Sequence, residues 1–434
     1  MREAFDVVIV GGGPGGSVCA ARLAQRGVRV LVLEKERFPR FHLGESLLPQ
    51  SMPVLEEIGV LDKVKAGFIW KYGARFHDDA RGRKDRFGFE MAWRNDREHA
   101  FEVERAHFDQ TLLDHAKELG ADVRQEWTVT GALRNDGNDG NDGNDGRVIG
   151  VLARTPDGHD ARFDAKYVVD ASGRDALFAH TARNTEKIAE LDQTAIFAHY
   201  EGVPRPEGKL AGDIDIVIFR ESPESRPNWF WFIPFKDGIT SVGAVVSRKW
   251  IKQHPKPAGA DVGAYFHAAV AESTTAQELL APAKMAWSEH RAAADFSYRV
   301  RDLVGPGFMA IGDAGGFIDP LFSTGAHMAM CGGKAAGDVL ADLVANPALA
   351  GTSEETAKLA AWETMLRTGA ETFILAVQAF YAGPLMEAIF AENKHHALRR
   401  SITSLLAGDV FTDAVWLRDT RLRLKEMVKN PTAT

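Results

Sequence analysis

Residues 5–35 read FDVVIVGGGPGGSVCAARLAQRGVRVLVLEK, and the fold follows from this stretch. Asp6–Val10 has the pattern of a short buried strand. Gly11-Gly12-Gly13-Pro14-Gly15-Gly16 follows at once and leads into a helical stretch, Ser17–Gln25. Gly27 stops that helix, and Val28–Leu33 is a second apolar strand closed by Glu34. Each glycine has a physical reason. Gly11 permits a tight turn, Gly13 lets the backbone approach a pyrophosphate, and Gly16 lets helix and strand pack closely. The helix offers free N–H groups and a positive dipole end to phosphates, and Glu34 suits ribose hydroxyls. Strand, glycine turn, helix, strand and acid in this order point to a dinucleotide site. The plain alternative is a glycine-rich turn that carries no ligand.

Working outward, the composition is globular. The chain has 434 residues, 45% hydrophobic and 26% charged, which is enough for two or three domains. With 52 basic and 60 acidic residues the net charge is −8, which argues against a general nucleic-acid binder. Cys19 and Cys331 are the only cysteines and cannot build a disulfide framework or a four-thiolate zinc site, so no metal is expected. The N-terminal residues carry no secretory signal, and a cytoplasmic location is expected. No apolar run reaches the roughly 18 residues of a membrane span. The nearest, 372–391, is interrupted by Gln378, Gly383, Pro384 and Glu387 and lacks a basic face. It reads as two helical pieces packed on the core, with no membrane partner.

A second glycine-rich segment, FMAIGDAGG at 308–316, runs a short strand into Gly312-Asp313. A carboxylate there suits a ribityl or ribose hydroxyl. Two nucleotide-contacting segments this far apart fit FAD lying extended across one domain. Arg105 stands just before a helix expected over Phe108–Leu119. It is either a third contact or a surface salt bridge.

The Gly11–Gly16 turn, Glu34, Gly44-Glu45-Ser46, Arg105, Asp170-Ala171-Ser172-Gly173-Arg174 and Gly312-Asp313 together resemble the flavin monooxygenase superfamily. Trp229-Phe230-Trp231-Phe232-Ile233-Pro234 matches the W-x-W-x-I-P signature of flavin-dependent halogenases. Phe317 to Gly325 (FIDPLFSTG) matches their F-x-x-P-x-x-S-x-G signature. Lys71, in GFIWKYGARF, stands where these enzymes place an essential lysine. The resemblance covers residues 5–335. It implies an FAD-binding Rossmann-like α/β domain of the flavin monooxygenase type. FAD contacts are implied at Gly11, Gly13, Pro14, Gly15, Gly16, Glu34, Arg105, Asp313 and Ala326. The implied activity is an oxidoreductase of secondary-metabolite biosynthesis that uses reduced flavin, O₂ and chloride or bromide to halogenate an electron-rich aromatic ring. Backbone N–H groups at Thr324 and Gly325 would hold the halide, in a turn shaped by Asp319 and Pro320. Trp229 and Trp231, on one face of a strand, would wall substrate off from flavin. Lys71 would hold hypohalous acid by a hydrogen bond or as a haloamine, and an apolar surround that lowers its pKa suits either role.

One position departs from the tryptophan-specific members. They carry Glu immediately before the Ser-Thr pair, and this chain has Phe322. The resemblance is therefore to the phenol and pyrrole branch, with a substrate free or tethered to a carrier protein. No second nucleotide-binding fold is visible, so a separate flavin reductase is the expected partner. Two alternatives stay open: an FAD-dependent aromatic hydroxylase and an isoprenoid-reducing flavoenzyme. His77, His99, Glu90 and Glu102 are possible acid/base groups whose spacing assigns them no role.

The expected organisation is an FAD-binding domain over 1–185 and 291–345, a β-rich substrate domain over 186–290, and a helical C-terminal region over 346–434. The latter is expected to pack over the substrate entrance. Residues 135–146 repeat Asn-Asp-Gly four times between two strand-like runs. They read as an extended, mobile, dispensable hairpin loop, and no EF-hand spacing supports calcium binding there.

Overall fold

The computed structural model describes residues 1–431 except 95, 136–145, 182–183, 189, 221, 223–224, 295 and 393–394. Its first sheet is organised around strand Arg2–Val10, which pairs in parallel with Asp160–Asp170 on one side and Val30–Glu34 on the other. Phe308–Ala310 and Asp122–Gln125 extend the sheet outward, again in parallel. Alternate residues serve two cores. Val7, Ile9, Val30 and Val32 pack among helices. Val8, Val10, Leu31 and Leu33 pack against Val129, Val148 and Val151 of a covering hairpin. Burial on both faces explains why these strands read as continuous apolar runs. The register sets Val10 beside both Asp170 and Leu33, and Asp170 beside Ala310. Four strands thus end side by side, at the edge where open parallel sheets bind ligands.

Two helices begin earlier than their periodicity suggests. The first spans Pro14–Gln25, because Pro14 lacks the N–H that an initial turn leaves unpaired. The other spans Arg105–Glu118, so Arg105 is its first residue rather than a flanking one. The hairpin pairs Thr128–Arg134 with Val148–Arg154. The repeat between them, and the expectations of mobility and of no calcium site, lie outside the described residues.

The second sheet is antiparallel through Gln193–Glu201, Ile239–Ser247, Asn228–Pro234 and Ile214–Phe219. Gly73–Asp78 joins it in parallel beside Ile214–Phe219, with Arg83–Gly88 beyond. Part of the segment 1–185 therefore builds the second sheet. Phe230, Phe232, Val242 and Ala244 face a core shared with Trp250 and Phe266 of neighbouring helices. Trp229, Trp231 and Ile216 face the opposite way, onto Phe373, Val377 and Phe380 of the C-terminal helices. Those helices include Ser353–Ala382 and Pro384–Phe390, broken at Gly383. Among the described residues no single helix is long and apolar enough to cross a membrane; this pair passes only jointly and bends by 82°.

Helix Thr324–Ala345 lies against Pro14–Gln25 with almost no space between the backbones. A Cβ on Gly333 would come within 2.3 Å of the Gly15 carbonyl. This contact brings two helix N-termini to the edge where the parallel strands end.

Candidate active site

A cavity of ≈ 490 Å³ opens at that edge, within the ~300–1,000 Å³ of small-molecule sites. Gly11, Gly13, Pro14, Gly15, Glu34, Arg105, Asp313 and Ala326 all line it. Gly16 does not: a Cβ there would lie 2.0 Å from the Gly11 carbonyl, so this residue closes the turn against itself. Gly11 sits at φ +104° with a would-be Cβ 2.3 Å from the Ala171 carbonyl, a conformation and a space that only glycine accepts. Gly13 differs. Its Cβ would meet only Arg40 Nη2, at 3.6 Å, so its bare face is turned to open space.

The polar groups on this cleft are held in place. Glu34 accepts from Gly12 N at 2.7 Å and Glu36 N at 2.8 Å. The Asp313 carboxylate has no hydrogen-bond partner among the described residues, and burial pushes its pKa up to about 6. An oriented carboxylate, an unpartnered one, an open glycine and two helix N-termini fit the hydroxyls and phosphates of FAD. Arg105 is not the surface charge that one reading expected. It is buried and clasps Asp109 at 2.7 and 2.9 Å, and donates to Leu43 O at 2.6 Å. Asp170 is also structural, accepting from Ser172 and Phe178 to shape its loop.

The second signature enters the same cleft. Asp319 Oδ1 accepts from Leu321 N at 2.9 Å, and the chain reverses at Ser323, φ +54°. Thr324 and Gly325, both on the cavity wall, then begin a 22-residue helix. Amides in the first turn of a helix have no partner within it. An irregular turn feeding such amides is a ready anion cradle.

Trp229 and Trp231 are buried and also line the cavity. Trp231 donates to Ser241 Oγ at 3.1 Å and lies over Gly243, where a Cβ would be 2.2 Å from the ring. Trp229 donates to the Tyr381 hydroxyl at 2.9 Å, and Tyr381 donates on to Asp319 Oδ2 at 3.1 Å. The two signatures are thus bolted together by a residue on the C-terminal helix Ser353–Ala382. Sequence reasoning missed Tyr381, because the helix carries many apolar residues and nothing local marks this one.

Lys71 is not on the cavity wall. It is buried on the short strand Ile69–Lys71, which pairs with Ala100–Glu102. Its ammonium donates to Ser46 Oγ at 2.7 Å and Leu47 O at 3.2 Å, and Ser46 does line the cavity. Trp70, on the opposite face, is partly exposed and lies tilted against the rings of His99 and Phe101. Burial lowers the Lys71 pKa, against the pull of Glu102 and Asp213. The other groups without an assigned role separate. His77 pairs with Asp215, and Glu90 lies 3.6 Å from Arg86, which also holds Asp213, whereas Glu102 Oε1 lies 3.9 Å from Lys71 Nζ. Among the described residues no His, Cys, Asp and Glu side chains gather as a metal site.

Comparison with known proteins agrees with this geometry. A family model described as FAD binding domain matches residues 4–342. A 1H-pyrrole-2-carbonyl-[peptidyl-carrier protein] chlorinase of Pseudomonas fluorescens is 32% identical, over 94% of this chain and 90% of its own length. A tryptophan 2-halogenase of Chondromyces crocatus is 31% identical over 76% of this chain, which spans 60% of that longer protein. Among solved structures, the flavin-dependent brominase Bmp2 superposes with a TM-score of 0.84 at 26% identity, over 99% of this chain and 100% of that one. The myxobacterial chondrochloren halogenase CndH superposes at 0.76 and 28%, over 98% and 97%.

Proposed function

This chain belongs to the flavin-dependent halogenases and is an FAD-dependent oxidoreductase, and from that premise we propose that it halogenates a pyrrole or phenol with Lys71 handling the hypohalous acid. FAD, when bound and reduced, supplies with O₂ the oxidant that turns halide into hypohalous acid. The chain's own residues do the rest. The amides of Thr324 and Gly325 hold the halide. Glu34 and Asp313 accept from FAD hydroxyls, and the open face of Gly13 admits the pyrophosphate. Trp229 and Trp231 keep substrate from the flavin, so that halogen reaches the ring by way of Lys71.

The observation that carries this reading is the Lys71–Ser46 hydrogen bond. Ser46 stands on the cavity wall and Lys71 one side chain behind it, so the amine is one step from the oxidant. A lysine lowered in pKa by burial is suited to polarise hypohalous acid or to take its halogen. Phe322 supports the pyrrole and phenol assignment. It is buried against Phe380 and brings no carboxylate to stabilise a weakly activated ring, so the ring must supply its own electron density. The carrier-linked pyrrole in the name of the Pseudomonas relative supports a tethered substrate. A separate flavin reductase completes the cycle.

The test is Lys71→Ala, assayed with reduced FAD, O₂ and bromide on free and carrier-linked pyrroles and on phenols. Product is expected to vanish while FAD binding and flavin oxidation persist, with hypohalous acid or peroxide released instead. Wild-type product rates in the variant would refute the role of Lys71. Hydroxylated rather than halogenated product from the wild type at saturating bromide would refute the reaction itself.

A further inference from the structure

The Lys71 site contains a carboxylate that the mechanism above does not use. In the antiparallel pair Ile69–Lys71 with Ala100–Glu102, Lys71 stands opposite Ala100. Glu102 is then its diagonal neighbour on the same face, within reach of a long side chain. Glu102 is 1% exposed, and neither of its oxygens has a hydrogen bond of good geometry. A buried carboxylate without donors is costly unless a charge or a proton compensates it.

Charge compensation comes from one direction, and the Ser46 hydroxyl adds a smaller pull. Lys71 Nζ is 3.9 Å away. The other charged groups facing the pair are acidic: Asp213, committed to Arg86 at 2.7 Å and Tyr72 N at 3.1 Å, and Glu45, committed to His199 at 3.0 Å. Burial pushes the Glu102 pKa up to about 8, with the Lys71 charge and the Ser46 hydroxyl opposing. Burial pushes Lys71 down. The two groups therefore approach each other in proton affinity inside one dry site. Ser46 Oγ accepts from Lys71, which leaves its own hydroxyl proton to point elsewhere, and it forms the wall between this pair and the cavity.

We propose that Lys71 and Glu102 act as one unit sharing a single proton, with Glu102 storing the proton while the lysine carries halogen. This unit rests on the role proposed for Lys71 above. With the proton on Glu102, the neutral amine attacks hypohalous acid. An N–X bond forms, the O–X bond breaks, and one amine proton leaves with the oxygen as water. The ring carbon then attacks X, and the N–X electron pair returns to nitrogen, which takes the proton from Glu102. The ring loses its proton, which restores the carboxyl group. The net change is ArH + HOX → ArX + H₂O. Glu102 acts on the Lys71 nitrogen as its proton donor and store, and it provides near the lysine a carboxyl group that Phe322 does not provide in the second signature.

The experiment is a ¹³C NMR titration of FAD-loaded protein labelled at lysine Cε, with the Lys71 signal identified by its loss in Lys71→Arg. In the wild type this signal should show two inflections, because coupled groups titrate as a pair. A single inflection overturns the proposal without any Glu102 variant. In Glu102→Gln the signal should titrate once and about one pH unit or more lower, since an opposing negative charge has gone. Hypohalous acid added to that variant should still yield a Lys71 haloamine, seen by peptide mass spectrometry. Transfer of the halogen to a phenol should then be slower, by about tenfold or more as expected for loss of a placed proton donor. Transfer at the wild-type rate overturns Glu102 as donor and leaves the Lys71→Ala result standing. Halogenation by Lys71→Ala removes the Lys71 reading, and this proposal with it.

Discussion

Tyr381→Phe removes one oxygen from the link between the two signatures. The Trp229 indole N–H, 1% exposed, loses its acceptor, and Asp319 Oδ2 loses a donor. An unsatisfied buried polar group costs about 1–3 kcal/mol. Asp319 can escape its share by holding a proton. Burial has pushed its pKa up to about 7, while the Leu321 N–H, Tyr381 and the nearby Arg226 pull it down. A carboxyl group raised from its ordinary 3.8 contributes stability at low pH that is lost as pH rises through about 7. Without Tyr381 that rise is higher and the loss greater. At about pH 6 only the indole penalty remains, about 1–3 kcal/mol, and at about pH 9 both apply, about 2–6 kcal/mol. With an unfolding entropy of about 2.1 cal/mol/K per residue, one kcal/mol shifts the melting temperature of a chain this size by about 1 °C. Thermal unfolding should therefore fall by about 1–3 °C at pH 6 and about 2–6 °C at pH 9. Halogenated product per flavin oxidised should fall as well, because Trp229 walls the cleft. A drop below about 1 °C at both pH values, or equal drops, would refute the coupling of Trp229 to Asp319 through this hydroxyl.

Other outcomes follow from the same geometry. Gly13→Trp should abolish FAD uptake in a fluorescence titration with an unchanged melting temperature, because its Cβ has room and the indole would fill the cleft. Gly11→Ala should instead destabilise the protein by more than the ~1–2 kcal/mol of the left-handed conformation alone, since its Cβ would meet the Ala171 carbonyl at 2.3 Å. Arg105→Ala should cost about 3 kcal/mol in denaturant unfolding at neutral pH, as expected for one half of a buried ion pair. The Asp109 carboxyl is buried, which raises its pKa, but Arg105, helped by Arg40 at 3.1 Å, outweighs burial and holds it below 3.8. The stability this contributes is present above 3.8 and lost only as pH falls through the lowered value; in the variant, burial without Arg105 raises the Asp109 pKa, so its carboxyl takes up a proton as pH falls and the deficit should be smaller at about pH 5 than at about pH 8. Lys71→Ala and Glu102→Gln separate capture of the halogen from its delivery.

Residues 5–35 were legible because every requirement there is local. An apolar run, a turn that needs glycine and a helix start lie consecutively, and hydrogen bonds within a few residues realise them. The alternation in NWFWFIP was legible for the same reason, and it sends Trp229 and Phe230 to different cores. Arg105 was less so. Its helix showed in the periodicity, but whether its charge meets water or Asp109 depends on how that helix is covered. Lys71 was identified by resemblance alone, since an isolated lysine in a strand is ordinarily exposed.

Residue order alone carries the parallel βαβ unit, the glycine turn, the alternating faces of the tryptophan strand and, through its motifs, the family. These depend on periodicity and turn chemistry, which are short-range. The closed fold is what seats one helix on Gly15 through Gly333, so that two N-termini meet one cleft. It alone set Tyr381, 152 residues from Trp229 in the chain, between that indole and Asp319. It alone set Glu102 diagonal to Lys71, by the register of two three-residue strands. Such contacts join residues far apart in sequence, and their energy comes from burial that exists only once both sheets and the C-terminal helices have closed around them.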